Sequence, residues 1–162
     1  MHVERGRFTG LCAREDGGAA MNVASILKEK GTDVTTVGPD RPVAEVAREL
    51  TERRIGAVLV TEGDQVLGIM SERDIVKAIA REGVEALERP ARDVMTSRVF
   101  TCSLSDTAEQ LMDAMTEGRF RHLPVIENDR LVGIISIGDV VKHRIAETVM
   151  EKEALQLYIA SG

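Results

Sequence analysis

The stretch Val66-Leu-Gly-Ile-Met-Ser-Glu-Arg-Asp74 returns sixty-five residues later as Leu131-Val-Gly-Ile-Ile-Ser-Ile-Gly-Asp139. Gly, Ser and Asp recur in place, and a Lys stands three residues after each Asp. The same register holds upstream without a gap, since Thr36 corresponds to Thr101. A repeat of this kind predicts one folding unit that is used twice, and therefore up to two equivalent sites.

Each half of the repeat shows the pattern of a β-α-β-β-α unit. In the first half, Val43, Val46, Ala47 and Leu50 lie on one face of a predicted helix. Two short β-type runs joined by a turn follow, and a second helix is predicted over about residues 72–80, with its counterpart over about 137–146. Aliphatic strands flanked by helices indicate an α/β (α+β) fold whose sheet is covered by helices.

Four segments follow from these patterns. Residues 1–20 are rich in glycine and charge and lack periodicity, which predicts an irregular N-terminal arm. Residues 21–88 and 89–146 hold the two copies, and residues 147–162 are predicted to form an amphipathic C-terminal helix that covers the module or joins a partner. Because one half has too much apolar strand to fold alone, we expect both halves to pack with pseudo-two-fold symmetry into one module, with clefts at their junction.

Composition excludes several classes of function. The formal net charge of -6 argues against a nucleic-acid partner, because such proteins usually present a basic face. No apolar run approaches the roughly twenty residues that span a bilayer, so we expect no membrane partner and a cytoplasmic location. Cys12 and Cys102 lack metal-like spacing, so no metal is predicted, and Cys102 is expected in the core.

The repeated Gly-x-x-Ser-x-x-Asp unit has two interpretations. In the first, Ser71 and Ser136 cap the helices that follow, and Asp74 and Asp139 reach back to the cap amides in capping boxes. In the second, each helix N-terminus binds a sugar phosphate. Its amides and hydroxyl would meet the phosphate, and its carboxylate would accept hydrogen bonds from ribose hydroxyls.

The chain resembles a Bateman module, a pair of cystathionine-β-synthase (CBS) motifs. The resemblance rests on residues 36–77 and 101–142, on Arg121-His-Leu-Pro-Val125, and on the two copies of Gly-Ile-x-Ser-x-x-Asp. It covers about residues 23–145, which implies a stand-alone CBS-pair protein. Modules of this family commonly bind adenosine-containing ligands in clefts between the motifs. The resemblance therefore implies AMP first, with ADP, ATP, NAD(H) and S-adenosylmethionine as the other candidates.

The resemblance also assigns roles to single residues. The aspartates would bind ribose hydroxyls, the serines would lie near ribose or phosphate, two aliphatic pairs would line the base, and two threonines would lie at the cleft edge. The halves diverge where phosphate usually binds, so Arg73 is the candidate for the positive charge that the first half lacks, and the two clefts are not expected to be equivalent. The implied ligand-binding residues are Thr36, Gly56, Ala57, Ile69, Met70, Ser71, Arg73 and Asp74 in the first half and Thr101, Arg121, His122, Ile134, Ile135, Ser136 and Asp139 in the second.

These implications predict a non-catalytic regulatory module that signals energy or redox state to an unidentified partner protein. An enzyme is the rival class, because His122, Ser136 and Asp139 supply suitable residue types, although capping and ribose contact already explain the Ser and Asp. A third class is a ligand-independent homodimeric scaffold, and a homodimer is expected under any of these hypotheses. His143 lies between two basic residues and is expected at the surface.

Overall fold

A computed structural model of the chain describes residues 6, 7 and 21–162. Apart from a two-residue strand, the predicted N-terminal arm and Cys12 lie outside the described residues. The elements in chain order are β1 (Gly6–Arg7), α1 (Val23–Lys30), β2 (Thr36–Val37), α2 (Val43–Arg53), β3 (Ala57–Glu62), β4 (Gln65–Ser71), α3 (Glu72–Glu82), a 3₁₀ helix (Gly83–Glu88), α4 (Ala91–Val94), β5 (Phe100–Thr101), α5 (Ala108–Gly118), β6 (His122–Glu127), β7 (Arg130–Ser136) and α6 (Ile137–Ser161).

The described chain forms two compact units, apart from the short strand β1. The first unit holds residues 34–99, and the second holds residues 21–33 together with 100–162. The helix that precedes each copy of the repeat therefore belongs to the unit of the other copy. Helix α4 contributes Ala91 to the core of the first unit, and helix α1 contributes Val23 and Ile26 to the core of the second.

The two units repeat the same backbone, which confirms the predicted β-α-β-β-α pattern. Ala57 lies opposite Ser71 in the antiparallel pair β3–β4, and His122 lies opposite Ser136 in the pair β6–β7. Each pair is interrupted by an irregularity at the same place, directly after Val60 or its counterpart. Strand β2 runs parallel to β3, and the residue after β5 makes a parallel bridge to β6. The sixty-five-residue repeat is therefore preserved in the hydrogen-bond register.

Each unit has its own apolar core. The predicted apolar face of α2 contributes Val43, Val46 and Leu50 to the core of the first unit. Burial raises the pKa of the Cys102 thiol to about 12, with a smaller contribution from the Asp106 carboxylate, so Cys102 is a protonated core residue as expected. The first core contains Val37, Val43, Val46, Leu50, Val58, Val60, Met70, Ile75 and Ala91. The second contains Val23, Ile26, Leu27, Cys102, Ala108, Leu111, Met115, Leu123, Val125, Ile135 and Val140.

Close packing explains the repeated glycine. A Cβ atom on Gly68 would lie 2.6 Å from the Met95 sulfur and 2.8 Å from the Thr96 carbonyl oxygen. A Cβ atom on Gly133 would lie 2.7 Å from a Leu27 methyl carbon. In each unit, the segment that precedes the other copy of the repeat therefore packs directly onto the strand glycine. A larger residue in place of the glycine would push this segment away from the strand.

The C-terminal residues differ from the prediction. Instead of a helix ending near 146 and a separate helix over 147–162, one helix of 25 residues, α6, runs from Ile137 to Ser161. Because neither Gly nor Pro interrupts residues 139–161, nothing in the sequence stops the helix. Its second half leaves Val149, Met150, Leu157 and Tyr158 exposed, so these residues cover no core in the part of the chain that the structure describes.

His143 is buried, which corrects the prediction of a surface position. Only 4% of the residue is exposed, although both sequence neighbours are basic. It lies one helical turn after the buried Val140, so the phase of α6 turns the imidazole inward. Its Nε2 lies 3.3 Å from the Glu29 carboxylate and its Nδ1 lies 3.3 Å from the Met21 sulfur.

No helix in the described part of the chain is both long and apolar enough to cross a membrane.

Candidate functional site

Each unit has a corner where the hairpin begins and ends and where the following helix starts. The first corner consists of Gly56, Ala57, Ile69, Ser71 and Asp74. The second corner consists of Arg121, His122, Ile134, Ser136 and Asp139. The first amide of α3 donates to the Gly56 carbonyl at 3.1 Å, and the first amide of α6 donates to the Arg121 carbonyl at 2.8 Å. The fold therefore brings ten of the predicted site residues together, five in each unit.

The Ser–Asp pair forms a capping box in both corners, which confirms the first of the two interpretations of the repeated unit. The Ser71 amide and hydroxyl both donate to Asp74 Oδ2, at 2.8 and 2.9 Å. The Ser136 amide and hydroxyl donate to Asp139 Oδ2 at 2.9 Å each. A carboxylate in the first turn also interacts favourably with the helix dipole. Capping uses one oxygen of each carboxylate and leaves Oδ1 for other donors.

The two aspartates differ in their next partner. In the first corner, the Thr96 hydroxyl donates to Asp74 Oδ1 at 3.0 Å, and the Thr96 amide donates to the Ile69 carbonyl at 2.8 Å. In the second corner, the Lys30 ammonium donates to Asp139 Oδ2 at 2.5 Å and to the Ile134 carbonyl at 2.9 Å. A neutral residue thus bridges strand and carboxylate in one unit, and a cation does so in the other.

This cation changes the electrostatics of the second corner. Burial alone would raise the pKa of Asp139, but the hydrogen bonds from Lys30 and Ser136 outweigh burial, and the pKa is lowered. The pKa of His122 is also lowered, mainly because the imidazole is buried and further because Lys30 and Arg121 are positive, although Asp139 opposes the shift. At neutral pH we therefore expect an ionised Asp139 beside a neutral His122.

Met70 and Ile135 do not fit the predicted role of lining a base with their side chains. Both are completely buried in the cores of their units. Successive residues of a strand point to opposite faces. The half-buried neighbours Ile69 and Ile134 therefore face away from these cores and remain candidates for contact with a ligand.

The remaining predicted residues lie around the corners. Thr36 is exposed on β2, opposite Leu59, and Thr101 is half-buried on β5. Arg73 is exposed in the first turn of α3, whereas Arg121, which belongs to the second corner, is exposed directly before β6. Neither arginine replaces the other in position, because Arg73 lies on the helix and Arg121 lies at the start of the strand.

Lys30 is the residue that sequence reasoning missed. It ends α1, outside the repeated stretch, and its carboxylate partner lies 109 residues away. The only sequence signal is a lysine at the end of a helix, where a cation interacts favourably with the helix dipole whether or not it has a carboxylate partner. Among the described residues, no group of three or more His, Cys, Asp or Glu side chains is arranged to hold a metal ion.

Comparison with known proteins identifies both repeats. The family model described as "CBS domain" matches residues 23–81 and 91–146. A mitochondrial CBS domain-containing protein of Arabidopsis thaliana, CBSX3, is 30% identical over 160 residues, which cover 91% of this chain and 76% of the relative.

Solved structures agree with the family match. A CBS-domain containing protein from Agrobacterium tumefaciens is 52% identical, with a TM-score of 0.76 over 80% of this chain and 97% of that one. A CBS domain protein from Pyrobaculum aerophilum, solved in complex with AMP, is 27% identical, with a TM-score of 0.64 over 74% of this chain and 89% of that one.

Proposed function

This chain belongs to the CBS-domain family, and from that premise we propose that it is a non-catalytic regulatory module that binds an adenosine-containing nucleotide at its two corners. The observation that carries the proposal is the pair of capping boxes, each of which presents a carboxylate beside a helix N-terminus. A ribose offers two neighbouring hydroxyl donors, and an ionised aspartate accepts hydrogen bonds only. Helix amides and dipole favour an anion nearby, so one corner offers groups for both the sugar and the phosphate.

AMP is our first choice of ligand. It is the ligand in the related structure from Pyrobaculum aerophilum, and it combines the ribose with a compact anion. ADP, ATP, NAD(H) and S-adenosylmethionine share the adenosine part and remain the other candidates. With no Trp in the chain, the base would contact aliphatic side chains such as Ile69 and Ile134, together with main-chain groups.

Titration calorimetry with AMP, ATP, NADH and S-adenosylmethionine tests this function. We expect binding of at least AMP, and we expect Asp74→Asn and Asp139→Asn each to weaken one site about tenfold, because a charged acceptor is lost. Asp113→Asn, an exposed change on α5, is the matched control and should bind as the wild type does. Absence of heat with all four ligands, or unchanged binding in the double variant, would refute the proposal.

The regulatory part of the proposal concerns what binding does. A ligand shifts a conformational equilibrium only through different affinities for the two states, so a partner protein has to recognise one of them. We propose no reaction, because capping already engages Ser71, Asp74, Ser136 and Asp139. Incubation with ATP for hours, followed by chromatography, should return the nucleotide intact, and any steady turnover would contradict this part.

A homodimeric scaffold is the second candidate function, and helix α6 favours it. Its second half exposes Leu157 by 72% and Tyr158 by 79%, together with Val149 and Met150. Large apolar side chains grouped on one exposed helix are typical of an interaction surface. Light scattering with and without AMP separates the candidates: a dimer that ignores every nucleotide favours the scaffold, and a dimer that also binds AMP is consistent with both.

A further inference from the structure

We propose that Lys30 makes the second corner selective for phosphorylated nucleosides, whereas the first corner accepts uncharged ones. The inference rests on the proposed function, since it assigns the ligand class of each corner. It starts from the ion pair between the Lys30 ammonium and Asp139 Oδ2, which lie 2.5 Å apart, with side-chain exposures of 32% and 23%. The pair is accessible from solvent and is therefore within reach of a ligand.

Among the described residues the Lys30 ammonium meets two acceptors, which leaves one N–H for a ligand. It carries three N–H groups, of which one donates to Asp139 and one to the Ile134 carbonyl. Lysine is a point charge on a flexible four-carbon stem, so Nζ can turn from the carboxylate towards a nearby phosphate without moving helix α1. Asp139 Oδ1 has no hydrogen-bond partner among the described residues and is open to a ribose hydroxyl.

A neutral nucleoside gains less binding free energy at this corner than a phosphorylated one. Its hydroxyls would compete with Lys30 for the carboxylate, and it offers no acceptor of comparable strength to the displaced ammonium. A phosphorylated nucleoside offers both partners: its hydroxyls replace the ammonium at Asp139, and its phosphate receives the ammonium in a charge-assisted hydrogen bond. Arg121 is an exposed member of the same corner and adds positive charge.

The first corner lacks this arrangement. Its aspartate accepts from the Thr96 hydroxyl, and the backbone amide of the same residue holds the Ile69 carbonyl. The positions that correspond to Arg121 and His122 are Gly56 and Ala57, which carry no charge. A nucleoside that enters here displaces a neutral hydroxyl, and a phosphate finds no lysine. Arg73 is exposed in the first turn of α3 and is the cation that the first half offers instead, but Asp74 accepts only from Ser71 and Thr96 in the described chain, so no ammonium is displaced when a nucleoside binds. Adenosine should therefore lose less against AMP in the first corner than in the second.

The test compares AMP and adenosine in an Asp74→Asn background, in which the second corner is the only intact site. With Lys30 present, AMP should bind more tightly than adenosine. Lys30→Met should weaken AMP by about tenfold and leave adenosine unchanged or improved, because the removed interaction is a charge-assisted hydrogen bond to phosphate. Lys30→Arg keeps the charge and should keep the preference for AMP. Lys28→Met removes an exposed charge from the same helix and is the matched control.

The possible failures are distinguishable. If neither AMP nor adenosine binds to the wild type, and the other nucleotides also fail, the proposed function falls and takes the inference with it. If AMP binds to the wild type but not to the Asp74→Asn protein, or if Lys30→Met weakens both ligands equally or neither, only the inference falls. Circular dichroism of each variant establishes that a loss of binding is not a loss of folding.

Discussion

The first corner holds its aspartate with the hydroxyl of Thr96, and the second holds its aspartate with the ammonium of Lys30. The two capping boxes have nearly the same hydrogen-bond distances. The difference in the next partner of the aspartate therefore arises from the segment that precedes the other copy. Local sequence determines the geometry of each capping box, and a distant segment determines whether its aspartate meets a hydroxyl or an ammonium. Two copies of one motif therefore share a fold and still differ in the charge of the group beside the same carboxylate.

The largest expected effect tests whether α1 is part of the second unit. Ile26 is fully buried in the second core, so Ile26→Ala leaves a cavity and should lower the free energy of unfolding by about 2–5 kcal/mol. Hydrogen exchange should show the larger loss of protection in β6 and β7, although Ile26 stands before the first copy. Lys28→Ala, exposed on the same helix, should change stability by less than about 0.5 kcal/mol. A larger loss of protection in β3 and β4 would show that α1 stabilises the first unit instead of the second.

A smaller loss of stability is expected when the repeated glycines Gly68 and Gly133 are replaced. Gly68→Ala should lower stability by about 1–3 kcal/mol, because its Cβ meets the backbone carbonyl of Thr96, which can move only with the chain. Gly133→Ala should cost less, because its Cβ meets the methyl groups of Leu27, which can change rotamer. Urea unfolding of both variants measures the difference. Equal losses would show that the two units tolerate close approach equally.

The smallest effect concerns protonation in the second corner. Lys30→Met should raise the pKa of Asp139 and of His122, since the ammonium lowers both. A carboxyl group with a lowered folded pKa stabilises the fold above its unfolded value of about 3.9, and this stability is lost as pH falls through the folded pKa. The cost of Lys30→Met, about 1 kcal/mol or less for such an accessible pair, should therefore vanish at low pH.

Side-chain NMR titrations of the wild type and Lys30→Met measure both pKa values, and urea unfolding at several pH values measures the stability difference. A stability difference that persists below the folded pKa of Asp139 would show that Lys30 acts through packing and not through its charge. The same titration of Lys28→Met provides the baseline, because that lysine lies on the exposed side of α1.

Much of the fold and the core of each corner could be predicted from the sequence. The repeat predicted two hairpins in equal register, and Ser-x-x-Asp predicted the capping boxes, because both depend on residues close together in the chain. Strand alternation was also available, and it would have excluded Met70 and Ile135 as side chains that line a ligand, since adjacent strand residues cannot face the same way.

The remaining features depend on contacts between distant residues. Lys30 meets Asp139 only because α1 packs in the unit of the second copy, and no periodicity within residues 23–30 indicates this partner. The burial of His143 was hidden by its basic neighbours, although its spacing from Val140 placed both on one helical face. The sequence therefore did not predict the ion pair of Lys30 or the burial of His143, because both depend on tertiary packing and not on local pattern.

Helix α6 runs without interruption from the second corner to Ser161. Its first turn holds the capping box of Ser136 and Asp139, and its last turns carry the exposed Leu157 and Tyr158. At 1.5 Å per residue, its 25 residues span about 37 Å. If α6 turned as one body about its first turn, a rotation of a few degrees around one carboxylate would displace the far tip by roughly 2–3 Å.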